Sequence, residues 1–254
     1  MRVCRSRSLK LMEALIFAAG FGRRLKPLTD ETPKPLLEIG GVSLLEIVIR
    51  RLVAAGVSSI VINTHHQAEK IESFLARKSF GISIQISHEE EILETGGGLK
   101  NAARFFSGAA PFFIHNADVL SAVDLRNLYR FHLNSKNALA TLSVRRRTTS
   151  RFLLFEEGFL CGVQREGKTS SFSRTGHFEA LAFDGIHVVS PGIFPKIRET
   201  GKFSIIDLYL RLASEGEKIQ ALSSDLFSWR DIGSSEGLLK ARAEAPFWLK
   251  SLKF

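Results

Sequence analysis

Between residues 14 and 144, short apolar runs alternate with stretches of helical periodicity, and no other feature constrains the fold as tightly. Residues 14–19 form an apolar run that stops at Gly20, the pattern of a buried strand. Residues 44–55 place Leu45, Val48, Ile49 and Leu52 on one helical face, with Gly56 as the stop signal. The same reading gives strands at 59–63, 82–87, 111–116 and 138–144, and helices at 67–77, 98–106 and 125–133. Strands separated by helices cannot pair as tight hairpins. They lie parallel, with the helices crossing over the sheet. The expected fold is α/β: a doubly wound, mostly parallel sheet with helices on both faces.

The pattern changes after Val144. Residues 151–156 and 159–164 read as short strands around a Glu157-Gly158 turn, a small β-hairpin insertion. A further strand is expected at 181–190, and helices at 205–214 and 232–245. No repeat or low-complexity linker interrupts the chain. Residues 12–245 are therefore expected to form a single domain, preceded by a basic leader at 1–11 and followed by a C-terminal tail at 246–254. With 254 residues the chain can bury a core without a disulfide or structural metal. Its two cysteines, Cys4 and Cys161, make no disulfide framework, which favours a reducing, cytoplasmic setting. No apolar run approaches the roughly 20 residues of a membrane span. The leader meets an apolar stretch too short, and too lacking in a cleavage site, for a signal peptide.

The net charge is +9, and Arg2, Arg5, Arg7 and Lys10 of the leader supply four of it, leaving +5 without them. A basic balance favours anionic partners. The chain contains no helix-turn-helix, zinc finger or basic stripe, so small phosphates are expected rather than nucleic acid. Nothing in it points to an oligomeric state.

The chemistry-bearing segment follows the first strand. It runs Ala18-Ala19-Gly20-Phe21-Gly22-Arg23-Arg24-Leu25-Lys26, then reaches Thr32-Pro33-Lys34-Pro35. Two glycines let backbone approach a ligand and aim N–H groups at it. Arg23, Arg24, Lys26 and Lys34 put four cations nearby, the composition of a polyphosphate site. A plain turn would explain the glycines but not the cations. Leu25 stands where a dinucleotide fingerprint needs its third glycine, which argues against a nicotinamide site. Asp118 follows the strand at 111–116, where ligands of open α/β sheets gather; the ordinary alternative is a helix cap. A formal P-loop string at 162–169 follows a hairpin and precedes no helix, so it is rejected. His65-His66 lacks the further ligands of a zinc site and is assigned to the loop or to a nucleotide contact. Arg145-Arg146-Arg147 reads as a solvated strand end.

With these segments in order, the chain resembles the sugar-1-phosphate nucleotidylyltransferase family. The resemblance also rests on Glu94-Thr95-Gly96-Gly97-Gly98, Asn116-Ala117-Asp118, Phe183-Asp184-Gly185-Ile186 and Trp229-Arg230-Asp231-Ile232-Gly233, and spans residues 12–245. It implies a Rossmann-like fold of the nucleotide-diphospho-sugar transferase type. It implies nucleotide contacts at Ala18, Ala19, Gly20, Gly22, Arg23, Arg24, Glu94 and Gly97, and sugar contacts at Asn116 and Gly185. Arg24 and Lys34 match the family's phosphate-binding, catalytic cations. Asp118 and Asp231 match its magnesium-holding carboxylates, so Mg2+ is the expected cofactor. The substrates are then a nucleoside triphosphate and a sugar 1-phosphate. The Glu-Thr-Gly-Gly-Gly segment resembles the N-acetylmuramic acid 1-phosphate uridylyltransferase branch, which suggests UTP. There the three glycines would leave room for the base or an acetamido group, and Gly185 room for a ring substituent. The mannose-1-phosphate guanylyltransferase branch is the alternative. A non-catalytic regulatory relative is the alternative of another class; loss of Lys34, Asp118 or Asp231 would mark it, and all three are present. The chain departs from the family in having Ala117-Asp118 where many members have Gly-Asp.

Overall fold

A computed structural model describes residues 12–106 and 108–250, so the leader at 1–11 and the last four residues of the tail lie outside the described residues. Ten strands of the described residues make one sheet. In chain order they are β1 (Met12–Phe17), β2 (Val57–Thr64), β3 (Ser83–His88), β4 (Phe112–Asn116), β5 (Ala138–Arg145), β6 (Arg151–Glu156), β7 (Phe159–Arg165), β8 (Lys168–Ser171), β9 (Glu179–Val189) and β10 (Lys218–Ser223). Their spatial order is β8-β7-β10-β5-β9-β4-β1-β2-β3, with β6 pairing both β7 and β9.

The parallel arrangement holds where it was expected. β1 runs parallel to β2 and β4, β2 to β3, and β5 to β10. β9 is the exception: it lies between β4 and β5 and is antiparallel to both. An apolar run carries no direction, so this reversal could not be read from composition.

Among the described residues five helices cover the sheet, α1 (Leu44–Ala55), α2 (Ala68–Ala76), α3 (Glu94–Ala102), α4 (Leu125–Asn134) and α5 (Ile205–Ser214), while α6 (Ser235–Ala243) packs on α1 and the tail. Alternate side chains of β1 point to opposite faces, as a strand's period of two requires. Leu15 joins Phe112, Leu99 of α3 and Leu208 of α5, while Ala14 and Ile16 join Phe113, Leu45 of α1 and Leu128 of α4. The sheet is thus buried on both faces, which is why its strands read as unbroken apolar runs. Helix ends are fixed locally. The Ser43 hydroxyl accepts from the Glu46 amide at 3.2 Å, and Gly56, at φ +106°, ends α1 in the left-handed region.

Three elements differ from their sequence reading. The helix expected at 98–106 begins earlier, at Glu94. The helix expected at 232–245 is shorter, α6 at Ser235–Ala243, and follows a short strand at Trp229–Asp231; Ser234 caps it by accepting from the Gly237 amide at 3.1 Å. The tail packs through Ala245–Leu249, with Trp248 buried beside Ile39, Leu120 and Ile232. The expected hairpin at β6–β7 is present and gains a third strand, β8. The rejected P-loop string lies within β7, β8 and their turn.

Candidate active site

The carboxyl ends of β1, β2 and β4 open onto a cleft of about 350 Å³, within the range of small-molecule sites. Ala18, Ala19, Gly20, Gly22, Lys34, Glu94, Asn116 and Asp118 line it, as expected from the sequence. Gly20 has a backbone any residue could adopt, and a Cβ there would meet nothing within 4 Å. The fold itself therefore does not require glycine at this position, and the bare backbone faces the cleft. Gly22 differs: its φ is +65°, and a Cβ would come within 2.8 Å of Thr29 Cγ2. Thr29 is buried and donates its hydroxyl to the Gly22 carbonyl at 3.0 Å, so this glycine shapes the loop.

A buried relay supports the loop from below. The Ala18 amide donates to Asn63 Oδ1 at 2.6 Å, Asn63 Nδ2 donates to Glu89 Oε1 at 2.7 Å, and Glu89 Oε2 accepts from the Leu93 amide at 3.0 Å. Asn63 and Glu89 are 3% and 2% exposed, yet both line the cleft. Sequence reasoning missed them. The available signal was a polar residue ending an apolar strand and an acidic run beginning at 89.

The four cations of the loop separate. Lys26 pairs with Asp30 at 2.8 Å, and Arg23 lies 4.9 Å over the Phe21 ring. Neither is among the described residues that line the cleft. Lys34, by contrast, forms an ion pair with Asp118. Arg24 lies against Gly233, where a Cβ would fall 2.5 Å from its Nη2 and 2.8 Å from Asp231 Oδ1. Asp231 is brought beside Asp118 by a two-stranded ribbon that pairs it with Val119, and the Ile232 amide donates to the Asp118 carbonyl at 2.9 Å. Asp118 caps no described helix; Asp124 caps α4 instead. Two carboxylates and two cations from four segments thus meet at one rim. Paired hard-oxygen donors suit magnesium, which completes its shell with phosphate and water. Ala117, at 2% exposure, packs into the α1-side core, so its methyl is accommodated.

Of the arginine run only Arg146 is exposed as a solvated strand end would be. Arg145 is buried and paired with Asp184 (Nε to Oδ1, 2.7 Å), while the Trp229 indole donates to the Asp184 carbonyl at 3.0 Å. This pair anchors the ribbon that carries Asp231. Arg147 stacks 4.6 Å over Trp229; burial lowers its pKa, against the opposing pull of Asp184 and Asp231. His115, beneath Asn116, is pushed down to about 4, chiefly by burial. His65 and His66 pack on Phe21 at 5.5 and 5.4 Å. Among the described residues no cluster of three His, Cys, Asp or Glu side chains is placed to hold a metal.

The glycines at 96–98 are structural. A Cβ on Gly96 would fall 2.3 Å from the Phe203 ring, and one on Gly97 2.5 Å from the Gly201 carbonyl. The Gly96 and Gly97 amides both donate to Phe203, at 2.9 and 3.3 Å. The room expected there for a base or acetamido group is occupied. Gly185, at φ +78°, packs on Asn116, whose Nδ2 would be 2.8 Å from a Cβ, so the space expected for a ring substituent is also filled.

Comparison with known proteins places this geometry. The Nucleotidyl transferase family model matches residues 13–246. The chain belongs to the sugar-1-phosphate nucleotidylyltransferases of that family. The N-acetylmuramate alpha-1-phosphate uridylyltransferase of Caulobacter vibrioides is 32% identical over 244 residues, covering 91% of this chain and 95% of its own. The D-glycero-alpha-D-manno-heptose 1-phosphate guanylyltransferase of Aneurinibacillus thermoaerophilus is 29% identical, with 94% and 100% covered. The fold of the inositol-1-phosphate CTP transferase from T. maritima superposes with a TM-score of 0.78 at 15% identity, over 96% of this chain and 99% of that one. In this nucleotidylyltransferase, as described above, the glycine loop, Lys34 and Asp118 share one cleft with Asp231 at its rim. No helix of the described residues is long and apolar enough to cross a membrane.

Proposed function

We propose that this enzyme transfers UMP from UTP to N-acetylmuramic acid 1-phosphate. The gathering of Lys34, Asp118, Asp231 and Arg24 at the rim of one cleft is the observation that carries the reaction type. A sugar-phosphate oxygen attacks the α-phosphorus, the α–β phosphoanhydride bond breaks, and pyrophosphate leaves with the bonding pair. The attacking phosphate is already ionised near neutral pH, since its second pKa is about 6, so no general base is required. The protein must hold two polyanions together and neutralise charge that builds between them.

Each residue then has a task. The backbone at Gly20 lies along the triphosphate, and the Asn63–Glu89 relay fixes the direction of the Ala18 amide. Lys34 and Arg24 meet the phosphate oxygens. Asp118 and Asp231 would hold Mg2+, which would supply charge neutralisation to the phosphates. The cytoplasm is the setting this reading favours.

The choice of uracil and N-acetylmuramic acid rests on the Caulobacter relative, because the glycines at 96–98 no longer argue for it. Pyrophosphate release, measured over a matrix of nucleoside triphosphates and sugar 1-phosphates, tests it. UTP with N-acetylmuramic acid 1-phosphate is expected to give the highest kcat/KM. A strong preference for GTP with mannose 1-phosphate would overturn the substrate assignment.

A further inference from the structure

Glu94 lines the nucleotide cleft and also a second cavity of about 560 Å³. The wall of this second cavity is the three-stranded insertion, which contributes Arg151 and Phe152 from β6 and Arg165 from β7. Arg147 enters from the connection after β5, and Asp207 from α5. Three arginines and two carboxylates therefore face one space.

Only one pair of these charges, Arg165 with Asp207, cancels within the cavity. Arg165 is bound to Asp207 at 2.5 Å, and Glu94 lies 3.5 Å from Lys202. Arg147 and Arg151 remain. Arg147 stacks on Trp229, the strand of which ends at Asp231, and its shielded Nε has no hydrogen-bond partner among the described residues. Through Trp229 it lies against the strand that carries Asp231. Arg151 lies four positions further along the chain, on the hairpin, and its guanidinium has no partner among the described residues.

A sugar 1-phosphate brings one phosphate, and the proposed function already gives Arg24 and Lys34 to phosphate oxygens. Arg151 is a further cation lining this cavity, and among the described residues no carboxylate pairs with it. A rigid fork of donors of this kind matches a carboxylate. We propose that Arg151 makes the sugar subsite selective for sugar 1-phosphates that carry a carboxylate. The inference rests on the sugar-1-phosphate reading of the adjoining cleft. It assigns acid recognition to the β6–β8 insertion rather than to the glycines at 96–98.

The experiment uses the full chain with Mg2+ and saturating nucleoside triphosphate, and reads pyrophosphate release. Three acceptors are compared: N-acetylmuramic acid 1-phosphate, with its carboxylate on a lactyl ether; a hexuronic acid 1-phosphate, with its carboxylate on the ring's exocyclic carbon; and neutral N-acetylglucosamine 1-phosphate. The wild-type enzyme is expected to favour one acidic acceptor over the neutral one by at least about 10-fold in kcat/KM, the scale of a hydrogen bond to a charged group. Which acid wins identifies the source of the carboxylate. In Arg151→Gln the acid-to-neutral ratio should collapse to within about 3-fold, and Arg151→Lys should restore part of it. The ratio is taken within one preparation, so any loss of folded protein cancels. A wild-type enzyme that uses the neutral acceptor equally well overturns the proposal, as does an unchanged ratio in Arg151→Gln. Acid preference with GTP as the better donor would sink the uridylyl assignment and leave the role of Arg151 standing.

Discussion

Gly20 and Gly22 stand two residues apart in one loop, yet an alanine at each should fail in opposite ways. At Gly20 the backbone is unstrained and the added methyl meets no protein atom within 4 Å. Replacing glycine at a compatible site commonly stabilises by about 0.4–1 kcal/mol, because the unfolded chain loses freedom. For a chain of this size that raises the melting temperature by up to about 4 °C. The methyl would, however, occupy space that the account gives to the triphosphate. Overpacking a well-fitted contact costs about 1–3 kcal/mol, so KM for the nucleotide should rise roughly 5- to 150-fold. Gly22→Ala meets Thr29 Cγ2 at 2.8 Å and holds φ at +65°. The left-handed backbone alone costs about 1–2 kcal/mol, and the contact adds to it, so this variant should melt several degrees lower. The assay pairs thermal melts with initial rates of pyrophosphate release over a nucleotide titration. A Gly20→Ala enzyme with normal KM would refute the placement of nucleotide on this backbone. An equally stable Gly22→Ala would refute the account of the loop.

Asp118→Asn should stay folded and lose nearly all turnover at saturating Mg2+, because one of the two carboxylates that would hold the cation is gone; unchanged rates would remove Asp118 from the site. Lys34→Ala should lower kcat more than it raises the nucleotide KM if the cation acts on charge present only in the transition state; loss confined to KM would make Lys34 an anchor. Arg145→Ala strands the Asp184 carboxylate, 1% exposed, without its partner, and breaking such a pair costs about 3–5 kcal/mol; a denaturant midpoint within error of wild type would contradict this. Burial pushes His115 and His132 down to about 4 and His187 to about 3. Their folded pKa values lie below the unfolded one, so the unfolded chain takes up protons first. Stability is full above about pH 6.5 and should fall by about 2 kcal/mol per histidine between pH 7 and 5. Urea midpoints that hold steady over that range would contradict the burial argument.

The parallel half of the sheet was legible because it is buried on both faces. Strands such as β1 and β4 are uninterrupted apolar runs, and α1 shows its core face and its stop signal openly. The glycine loop, Lys34 and Asp118 were legible because cations and glycines after a buried strand have few other uses. What escaped depends on contacts distant in sequence. α3 begins at Glu94 because residues 201–203 need small neighbours, so three poor helix formers sit inside a helix. Asn63 and Glu89 form one relay through their mutual hydrogen bond, and neither spacing nor composition connects residues 26 apart. Arg145 reads as one of three surface charges until Asp184 is placed beside it. Asp231 was named through the family resemblance, but the three-residue strand that carries it was not, because its partner among the described residues lies more than a hundred residues earlier and such a ribbon leaves no periodic trace.

The central claim is that this cleft breaks the α–β bond of a nucleoside triphosphate in favour of a sugar phosphate. UTP labelled with radioactive phosphorus at either the α or the γ position, incubated with Mg2+ and N-acetylmuramic acid 1-phosphate, tests it most directly. The α-label should appear in a nucleotide sugar and the γ-label in pyrophosphate, in equal amounts. Release of the γ-label as inorganic phosphate, with the α-label left in a nucleoside diphosphate, would contradict the account.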